Sequence, residues 1–452
     1  MLCANLAFYT YYLIMVKKLL LLLLLINASF TYAETIKTDV LVIGNGVSAA
    51  SAAIQSSRSK LKTVLLVKGS WLEGMQDKAM VVVDANRNLS SGIWGEFRVR
   101  VHQFYKGTAG YDTTYNAPLK FEPFTGAGIL KKIADTVKNL TIKLNTAYNV
   151  IKKDGTGWEV TIIENGKTNY IKTKTLIDAT ETGEVVTAVH AKLPPPTVYN
   201  ANLYRTAIVI GDDLQSAAIH YTATYPPPPA YYVPMNALVA RDAENLFITD
   251  KALALSLTLQ NLPLQMNLGQ GAGTMAAFCA FFKTTEKSLR VRLVQGELLD
   301  FKCYLLPFDD VSPADRYFRA IQQIAATGLL KGIQLKVDSN TQFLFMPDAP
   351  VNTDEIKPVF TEIYSRAFIW FNNTKPAEHF TIGNLLSFIS EITLSDPASF
   401  QLTIQKEWKT KYKFTSEFDV NRPITRREFA ILANQFLNPF ARTVDLSGRM
   451  VN

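Results

Sequence analysis

The chain has 452 residues, of which 48% are hydrophobic and 19% are charged, and its formal net charge is +8. This balance is typical of globular proteins and argues against extensive disorder, and a charge excess without any basic run gives no reason to expect a nucleic-acid partner. The three cysteines form no C-x-x-C pair and the four histidines no H-x-x-x-H pair, so neither dithiol chemistry nor a catalytic metal is expected. Any redox chemistry would therefore use an organic cofactor.

The N-terminal segment has the pattern of a secretory signal peptide. Lys17 and Lys18 precede the apolar run Leu19–Ile26, and small and polar residues then lead to Ala33. This pattern predicts a signal peptide over residues 1–33 and a mature chain exported to the periplasm, the cell envelope or the medium. A membrane anchor is the alternative, but the uninterrupted apolar run is too short to span a bilayer.

The first elements after this segment are predicted to form a βαβ unit. Thr38–Ile43 and Lys62–Val67 are typical of buried parallel strands, and the residues between them are compatible with a helix. The connecting turn, Gly44-Asn45-Gly46-Val47-Ser48-Ala49, fits G-x-G-x-x-A. In such a turn the glycines let the backbone approach a pyrophosphate, and the helix N-terminus offers its N–H groups to the anion. The alternative is a glycine-rich turn in an unrelated sheet.

Lys68 occupies the position at the end of the second strand where dinucleotide-binding folds carry an acidic residue for the ribose hydroxyls. An ammonium group cannot accept those hydroxyl protons, although it could contact a phosphate. Glu73, a few residues farther on, is a candidate replacement.

The middle of the chain predicts an antiparallel sheet and then a short insertion. Asn149–Lys152, Trp158–Glu164 and Asn169–Ile177 are strand-like segments separated by glycine-containing turns. Two proline-rich segments favour extended chain, and they fall within about residues 187–231, where a small cap is expected.

From about Lys287 onward the pattern becomes helical and contains an internal repeat. Phe345–Glu355 and Phe418–Glu428 share a phenylalanine, an Asp or Asn, a proline, an aliphatic residue and a glutamate at one spacing. Asn352 and Thr425 are expected to cap a helix each, with the glutamate three residues later completing a capping box.

Four stretches of the chain are similar to one known family, in the family's order. They are Thr38–Met75, where Leu72-Glu73-Gly74-Met75 is similar to L-G-G-M; Phe121-Glu122-Pro123; Leu176–Glu184, similar to I-D-A-T-E-x-G-D; and Tyr232–Thr274, which ends in Leu268-Gly269-Gln270-Gly271-Ala272-Gly273-Thr274, similar to L-G-Q-A-A-G-T. These stretches resemble the FAD-dependent oxidoreductases of the two-dinucleotide-binding-domain superfamily, which includes the fumarate reductase flavoproteins.

The resemblance implies an α/β fold and bound FAD. It implies a Rossmann-like FAD-binding domain over residues 34–286, with a three-stranded antiparallel crossover sheet and the small cap, followed by a mostly helical module over residues 287–452. The residues expected at the cofactor lie at positions of the family's motifs, two of them, Lys68 and Asp250, as departures from the family's residue. They are Gly44, Gly46, Val47, Ser48, Ala49, Lys68, Gly74, Met75, Ala179, Thr180, Glu181, Gly183, Asp250, Gly269, Gln270, Gly271, Ala272, Gly273 and Thr274.

Two members of this set carry specific expectations. The segment Gly269–Thr274 is expected to start a helix whose N–H groups stabilise negative charge on the reduced flavin, and close helix packing through small residues is the alternative. Asp250 is expected either to hydrogen-bond the ribityl chain or to cap a turn.

Glu96, Arg98 and His102 lie where relatives place chain near the flavin, and they are the candidate catalytic residues; solvated or salt-bridged roles are the alternative. Only one dinucleotide fingerprint is present, so hydride would come from a small-molecule substrate and electrons would leave to oxygen, a quinone or a protein. The sequence therefore predicts an exported FAD-dependent oxidoreductase. An envelope-associated binding protein that keeps the flavin fold without turnover is the alternative function.

The C-terminal module resembles S-layer homology domains through Phe308–Val311, Gly328–Gly332 and Pro423–Phe429. In that family an arginine of the last segment contacts anionic wall polymer, and Arg426 stands at its position. Contact with a cell-envelope polymer is therefore one expectation, and a helical bundle packed on the flavin domain is the other.

Overall fold

The computed structural model describes residues 12–19, 34–85, 88–164, 166–195, 202–211, 231–253, 258–337 and 340–451. The signal peptide expected over residues 1–33 lies outside the described residues, except for 12–19, which form an exposed helix. No helix in the described ranges is both long enough and apolar enough to cross a membrane.

A parallel sheet forms the centre of the N-terminal part. Five described strands build it, and their order across the sheet is β13 (Leu246–Ile248), β10 (Thr175–Ala179), β2 (Val40–Gly44), β3 (Thr63–Leu66) and β6 (Leu140–Lys143). All of these except β6 are buried along their whole length, because helices and further chain cover both faces of the sheet. The predicted α/β fold class is thereby confirmed.

A second sheet contains the predicted antiparallel strands. Its order is β1 (Thr35–Lys37), β9 (Lys167–Thr173), β8 (Gly157–Glu164) and β7 (Ala147–Asp154), and β1 joins β9 in parallel. The prediction of one strand over Asn169–Ile177 is wrong, because the chain bends at Lys174 and β9 and β10 belong to different sheets. The residue pattern does not change there; only the pairing partner does, and that is set by tertiary structure.

Helices and short strands complete the N-terminal part. They are α1 (Val47–Arg58), β4 (Val81–Val83), α2 (Gly92–Tyr105), β5 (Leu119–Phe121), α3 (Pro123–Asp135), α4 (Glu184–Ala188) and the 21-residue α5 (Leu262–Phe282). In the expected cap, β11 (Ala207–Gly211) pairs with β12 (Tyr231–Pro234). Residues 196–201 and 212–230 of that segment lie outside the described residues.

The C-terminal part is mostly helical, as predicted, with one hairpin that the sequence pattern did not indicate. Its elements are α6 (Val291–Asp300), α7 (Phe318–Thr327), the hairpin β14 (Ile333–Val337) and β15 (Asn340–Leu344), α8 (Thr353–Ile363), α9 (Ala367–Thr374), α10 (Ile382–Thr393), α11 (Pro397–Thr410) and α12 (Arg426–Phe436).

The segments that precede α8, α10 and α12 join their backbones in a ring. Val351 N donates to Ile424 O (3.0 Å), Ile424 N donates to Phe380 O (2.9 Å), and Phe380 N donates to Val351 O (2.8 Å). The repeat therefore has a third copy in the structure. This copy carries Phe380 where the other two have an aliphatic residue, and it lacks their proline and glutamate. Without those residues the third copy could not be recognised.

Of the two predicted capping boxes, one is confirmed. Thr425 caps α12 together with Glu428. The box predicted at α8 is wrong: Asn352 occupies the N-cap position, but its side chain makes no capping hydrogen bond and contacts His379 Nδ1 at 3.0 Å instead. Glu355, the glutamate of this repeat, forms an ion pair with Arg426 instead.

Arg426 is buried, with 2% of its side chain exposed, and pairs with Glu355 of the first repeat at 2.5 Å. It also donates a hydrogen bond to Phe345 O at 2.7 Å. The residue expected to reach a wall polymer therefore connects two repeats inside the module.

One apolar core runs from the parallel sheet into the C-terminal helices. An ion pair crosses the same junction, because Arg205, just before β11, contacts Glu362 of α8 at 2.6 Å. The helical module is thus packed against the N-terminal part, as one of the two expectations had it.

Candidate functional site

The two glycines of the turn between β2 and α1 have different roles. A Cβ atom on Gly44 would lie 2.0 Å from Ala179 O of β10, so no side chain fits there. A Cβ atom on Gly46 would approach nothing closer than 3.7 Å, at Asp250 Oδ2 and Ser48 Oγ. Gly46 is the N-cap of α1, which has neither a capping side chain nor an acidic residue in its first turn. Open space and uncapped helix N–H groups therefore lie in front of Gly46.

Two cavities flank this turn at the carboxyl end of β2 and share Asn45, Glu73 and Glu181 as walls. The α5-side cavity, of about 370 Å³, is further lined by Gly46, Val47, Leu72, Gly74, Met75, Ala179, Asp250, Thr258, Leu259, Leu262 and Gln265. The β3-side cavity, of about 630 Å³, is further lined by Ile43, Gly44, Leu66, Lys68, Gly69, Thr146, Ala147, Tyr148, Thr180 and Glu184. We call the two together the cleft. Ten of the predicted cofactor residues are among its walls: Gly44, Gly46, Val47, Lys68, Gly74, Met75, Ala179, Thr180, Glu181 and Asp250.

Asp250 places a buried carboxyl group on the wall of the α5-side cavity. The residue is 2% exposed, and its Oδ2 accepts a hydrogen bond from Ser48 Oγ at 2.6 Å. Its Oδ1 has no hydrogen-bond partner in the described part of the chain. Burial raises the pKa of Asp250 to about 7, and the bond from Ser48 opposes this only in part. A buried carboxyl oxygen without a partner is suited to a ligand hydroxyl, because leaving it unsatisfied is costly.

Three of the predicted residues lie behind the walls of the cleft. Ser48 acts through its bond to Asp250, and Ala49 is 0% exposed inside α1. Gly183 has a left-handed φ of 75° and begins α4, where a Cβ atom would meet Lys251 at 3.4 Å. These residues shape the cleft from behind.

A buried aspartate fixes the loop that carries Thr180 and Glu181. Asp178 accepts hydrogen bonds from Thr180 Oγ1 at 2.6 Å and from Val186 N at 2.9 Å. Burial raises the pKa of Asp178, and these bonds act in the opposite direction. Thr180 and Glu181 are thereby held at the end of β10, where both line the cleft.

The β3-side cavity contains Lys68, but a carboxylate lies next to it. Glu73 folds back over the chain, so that its Oε1 accepts a hydrogen bond from Ser70 N at 2.8 Å and would lie 1.9 Å from a Cβ atom on Gly69. Asn45 holds the start of this fold, since its Oδ1 accepts from Leu72 N at 3.0 Å. The local turn therefore brings Glu73 to the cleft beside Lys68, which occupies the position where dinucleotide-binding folds carry an acidic residue.

The prediction that a helix starts at Gly269 is wrong. Helix α5 starts at Leu262, so Gly269 lies about 10 Å farther along its axis. Cβ atoms on Gly269 and Gly273 would lie 2.1 Å from Ser48 O and 2.6 Å from Ala52 O of α1. These glycines therefore let α1 and α5 pack closely, which was the alternative interpretation. The N-terminus of α5 does reach the cleft, but through Leu262 and not through Gly269.

The remaining residues of that segment are internal as well. Gln270 connects three helices, because its Nε2 donates to Gln55 Oε1 at 2.8 Å and its Oε1 accepts from Ile93 N at 2.9 Å. The other three are fully buried without lining either cavity of the cleft: Gly271, Ala272 and Thr274.

The structure does not bring the candidate catalytic residues to the cleft. Glu96, Arg98 and His102 all lie on α2, and none is a wall of either cavity. Glu96 forms ion pairs with Arg58 at 2.7 Å and with Arg100 at 2.8 Å. This is the salt-bridged role that stood as the alternative.

Arg98 and His102 contact the chain that follows α2. Arg98 is buried and donates hydrogen bonds to Tyr115 O at 2.8 Å and Ala117 O at 3.1 Å. His102 packs edge-on against Tyr111, and burial, followed by the charge of Arg98, lowers its pKa. Both residues support the fold around α2.

Several walls of the cleft were not assigned from the sequence. The sequence does indicate Asn45, because this residue stands between the two glycines of the turn. The others come from segments that are distant in sequence and converge only in the fold: Thr146, Tyr148, Glu184, Thr258, Leu259, Leu262 and Gln265.

A parallel sheet with a glycine turn, a helix N-terminus and a cleft at the carboxyl ends of its strands defines a Rossmann-type dinucleotide-binding protein. The chain belongs to the FAD dependent oxidoreductase family, whose model matches residues 39–194 and 200–298, more than half of the chain. The family is one of FAD-dependent enzymes, and the match gives FAD as the cofactor. No curated protein matches the sequence.

Solved structures of flavoproteins resemble the chain only distantly. A flavoprotein/dehydrogenase from Cytophaga hutchinsonii is 14% identical, with 64% of this chain and 92% of that chain covered and a TM-score of 0.36. The OxyS anhydrotetracycline hydroxylase from Streptomyces rimosus is 13% identical, with 65% and 73% covered and a TM-score of 0.35. Bacillithiol disulfide reductase Bdr (YpdA) from Staphylococcus aureus is 16% identical, with a TM-score of 0.24; the match covers 32% of this chain and 38% of that chain's length. Similarities this low identify neither reaction nor substrate.

The residues of the cleft fit FAD. The space in front of Gly46 and the uncapped N-terminus of α1 suit a pyrophosphate, and Asp250 Oδ1, which has no partner among the described residues, suits a ribityl hydroxyl. The β3-side cavity leaves room for the adenosine half, on the side of the turn opposite α5.

Proposed function

We propose that this chain is an exported FAD-dependent oxidoreductase that transfers a hydride between a small-molecule substrate and its cofactor, with oxygen, a quinone or a protein as the electron acceptor. The observation that carries the proposal is the buried carboxyl group of Asp250, a wall of the cleft beside Gly46, one oxygen of which has no hydrogen-bond partner among the described residues. Export is proposed from the signal-peptide pattern alone.

Bound FAD supplies the hydride-transfer chemistry. The chain's residues hold it: the N-terminus of α1 faces the pyrophosphate, Asp250 takes a ribityl hydroxyl, and the β3-side cavity accepts the adenosine. The N-terminus of α5, at Leu262, provides the positive end of a helix dipole at the other end of the cleft. Family membership favours turnover over the alternative of a flavin fold that only binds.

The C-terminal module is assigned a packing role in this proposal. Its core is continuous with that of the N-terminal part, and Arg426 is occupied by Glu355. These contacts favour a module that stabilises the flavin domain over one that binds cell-envelope polymer.

The experiment that tests the proposal compares flavin content between two matched variants. Gly46→Val fills the open space in front of the turn, so we expect a folded protein that has lost most of its flavin absorbance. Gly128→Val is the control, because Gly128 is an exposed residue of α3 with nothing within 4 Å of its Cβ position. Equal flavin content in both variants would place the cofactor elsewhere.

Turnover is tested separately on the purified flavin-loaded chain. Anaerobic addition of a panel of small-molecule reductants and oxidisable metabolites should bleach the flavin absorbance for at least one compound, and an electron acceptor should restore it. A chain that holds flavin but is bleached by no compound, and by dithionite only, would contradict the oxidoreductase proposal and favour the binding alternative.

A further inference from the structure

A third cavity lies away from the cleft, and all of its walls belong to the C-terminal part. It has a volume of about 760 Å³ and lies between α6 and the chain around residues 438–444. We call it the α6 cavity. Its size is within the range of small-molecule sites, roughly 300–1,000 Å³, and its walls combine charged residues with apolar ones.

Arg292 is a buried wall of the α6 cavity with an incomplete set of partners. The residue is 8% exposed, and its guanidinium lies 4.7 Å from the centre of the Phe440 ring. Nη1 donates to Gln295 Oε1 at 2.8 Å and to Arg205 O at 3.2 Å. Nη2 has no hydrogen-bond partner among the described residues. The guanidinium is thus held in place by neutral groups and retains an unused donor.

Arg292 also has no acidic partner among the described residues. The charged side chain that acts on it is Arg205, which is already paired with Glu362 at 2.6 Å. Burial, and then the charge of Arg205, lower the pKa of Arg292 to about 9. A buried cation without an anion is costly, and an anion in the cavity would offset that cost.

The N-terminus of α6 adds a second, independent source of positive potential. The ten-residue helix starts at Val291 with Arg290 as its N-cap residue, no capping side chain and no acidic residue in its first turn. Val291 and the exposed Arg290 both line the cavity. Helix N-termini of this kind bind oxyanions through their free N–H groups.

The carboxylates along the cavity are occupied at the far end of the same helix. Asp300 pairs with Arg319 at 2.5 Å. Glu297 accepts a hydrogen bond from Ser59, and burial raises its pKa. The positive charge is therefore concentrated at the Arg290–Arg292 end.

We propose that the α6 cavity binds a small organic anion, whose carboxylate or phosphate group lies at Arg290 and Arg292 and whose apolar body packs against Leu293, Phe440 and Val444. Arginine recognises either group through paired N–H donors. The site is separate from the cleft and does not depend on the function proposed for it.

The test uses the full chain saturated with FAD, so that the cleft is closed to other anions. Phenyl phosphate, benzoate and inorganic phosphate are titrated into it by calorimetry up to the millimolar range. We expect phenyl phosphate or benzoate to bind, and the tighter of the two identifies the anionic group. Arg290→Glu should weaken that binding at least tenfold, because it reverses a charge at the helix N-terminus without removing a buried contact.

Lys406→Glu on α11 is the matched control, since it makes the same charge change at an exposed position remote from the cavity and should leave binding unchanged. Arg292→Met is the second variant and should abolish binding while flavin absorbance is retained. No heat with any probe, or equal weakening by Arg290→Glu and Lys406→Glu, would overturn the proposal. If inorganic phosphate bound as tightly as phenyl phosphate, the proposal that the ligand has an apolar organic body would be overturned.

Discussion

At the scale of single residues, Asp250 makes the stability of the fold depend on pH. Its folded pKa is about 7, whereas an ordinary aspartate in the unfolded chain has a value of 3.8. Between these values the folded state holds a proton that the unfolded state has released, so stability falls as pH rises from about 4 to 7. A shift of this size corresponds to about 4 kcal/mol.

Asp250→Asn removes this titration, and it tests the sign directly. We expect urea unfolding of the flavin-free chain to show wild type losing stability relative to Asp250→Asn as the pH is raised from 5 to 8, by a few kcal/mol. Comparing the two proteins at each pH cancels the other buried carboxyls, such as Asp178 and Glu297, whose pKa values are also raised. A constant difference at all pH values would show that Asp250 is ionised in the folded chain.

Glu73 carries the second prediction at this scale. Its carboxylate lies against Gly69, next to the exposed Lys68, where it can accept the ribose hydroxyl protons that an ammonium group cannot. Glu73→Gln should therefore weaken FAD binding about tenfold, since a charged hydrogen bond contributes ~1.5–3 kcal/mol. FMN, which lacks the adenosine, should bind both proteins equally.

Fluorescence titration of the flavin-free chain measures both affinities, and Glu407→Gln on α11, which is not a wall of the cleft, serves as the control. Loss of FMN affinity together with FAD affinity would mean that Glu73 supports the fold of the cleft and not the ribose. If FAD affinity stayed at the wild-type value, the adenosine would be held by other walls.

Which residues form the cleft was predictable where the backbone itself makes the contact. Gly44 and Gly46 follow from a tight turn that must leave space, and this requirement is visible in the sequence. The fold-back of Glu73 was not visible, because it depends on the left-handed conformation of Leu72, at φ 47°, and on the bond from Leu72 N to Asn45. Leucine gives no sequence signal for that conformation.

At the scale of elements, the same motif can be recognised correctly and its role misjudged. The small residues from Gly269 to Gly273 are a reliable mark of α5, but they report where α5 touches α1 and not where α5 begins. The start at Leu262 has only Asn261 as its N-cap residue, and that side chain makes no capping bond. A helix without a capping box has no sharp sequence boundary.

The packing role of Gly269 leads to a prediction on stability. Gly269→Ala would place a methyl group 2.1 Å from Ser48 O, so α1 and α5 would have to separate. We expect a loss of about 1–3 kcal/mol in the free energy of unfolding, as for other overpacked cores. Gly128→Ala should instead stabilise the chain by ~0.5–1 kcal/mol, because it lies in α3 with open space around it. Chemical unfolding of the two variants measures both changes; a stabilising Gly269→Ala would contradict the close contact.

At the scale of the whole molecule, the continuous core means that the flavin domain and the helical module should unfold together. Sequence alone divided the chain near residue 287, because the residue pattern changes from mixed to helical there. The structure places apolar side chains from both sides of that point in one cluster. Composition describes elements, and it does not report which elements share a core.

The ion pair across the junction allows this cooperativity to be tested. Arg205 has 3% of its side chain exposed and Glu362 has 42%, so Glu362→Ala would leave a buried cation unpaired. Because the carboxylate is partly solvated, we expect a loss of about 1–3 kcal/mol. The melting transition seen by circular dichroism and the release of flavin seen by fluorescence should move down by the same amount. Glu391→Ala removes an exposed pair with Arg366 and should move neither. If Glu362→Ala lowered only part of the circular dichroism signal and left flavin release unchanged, the two parts would be folding independently.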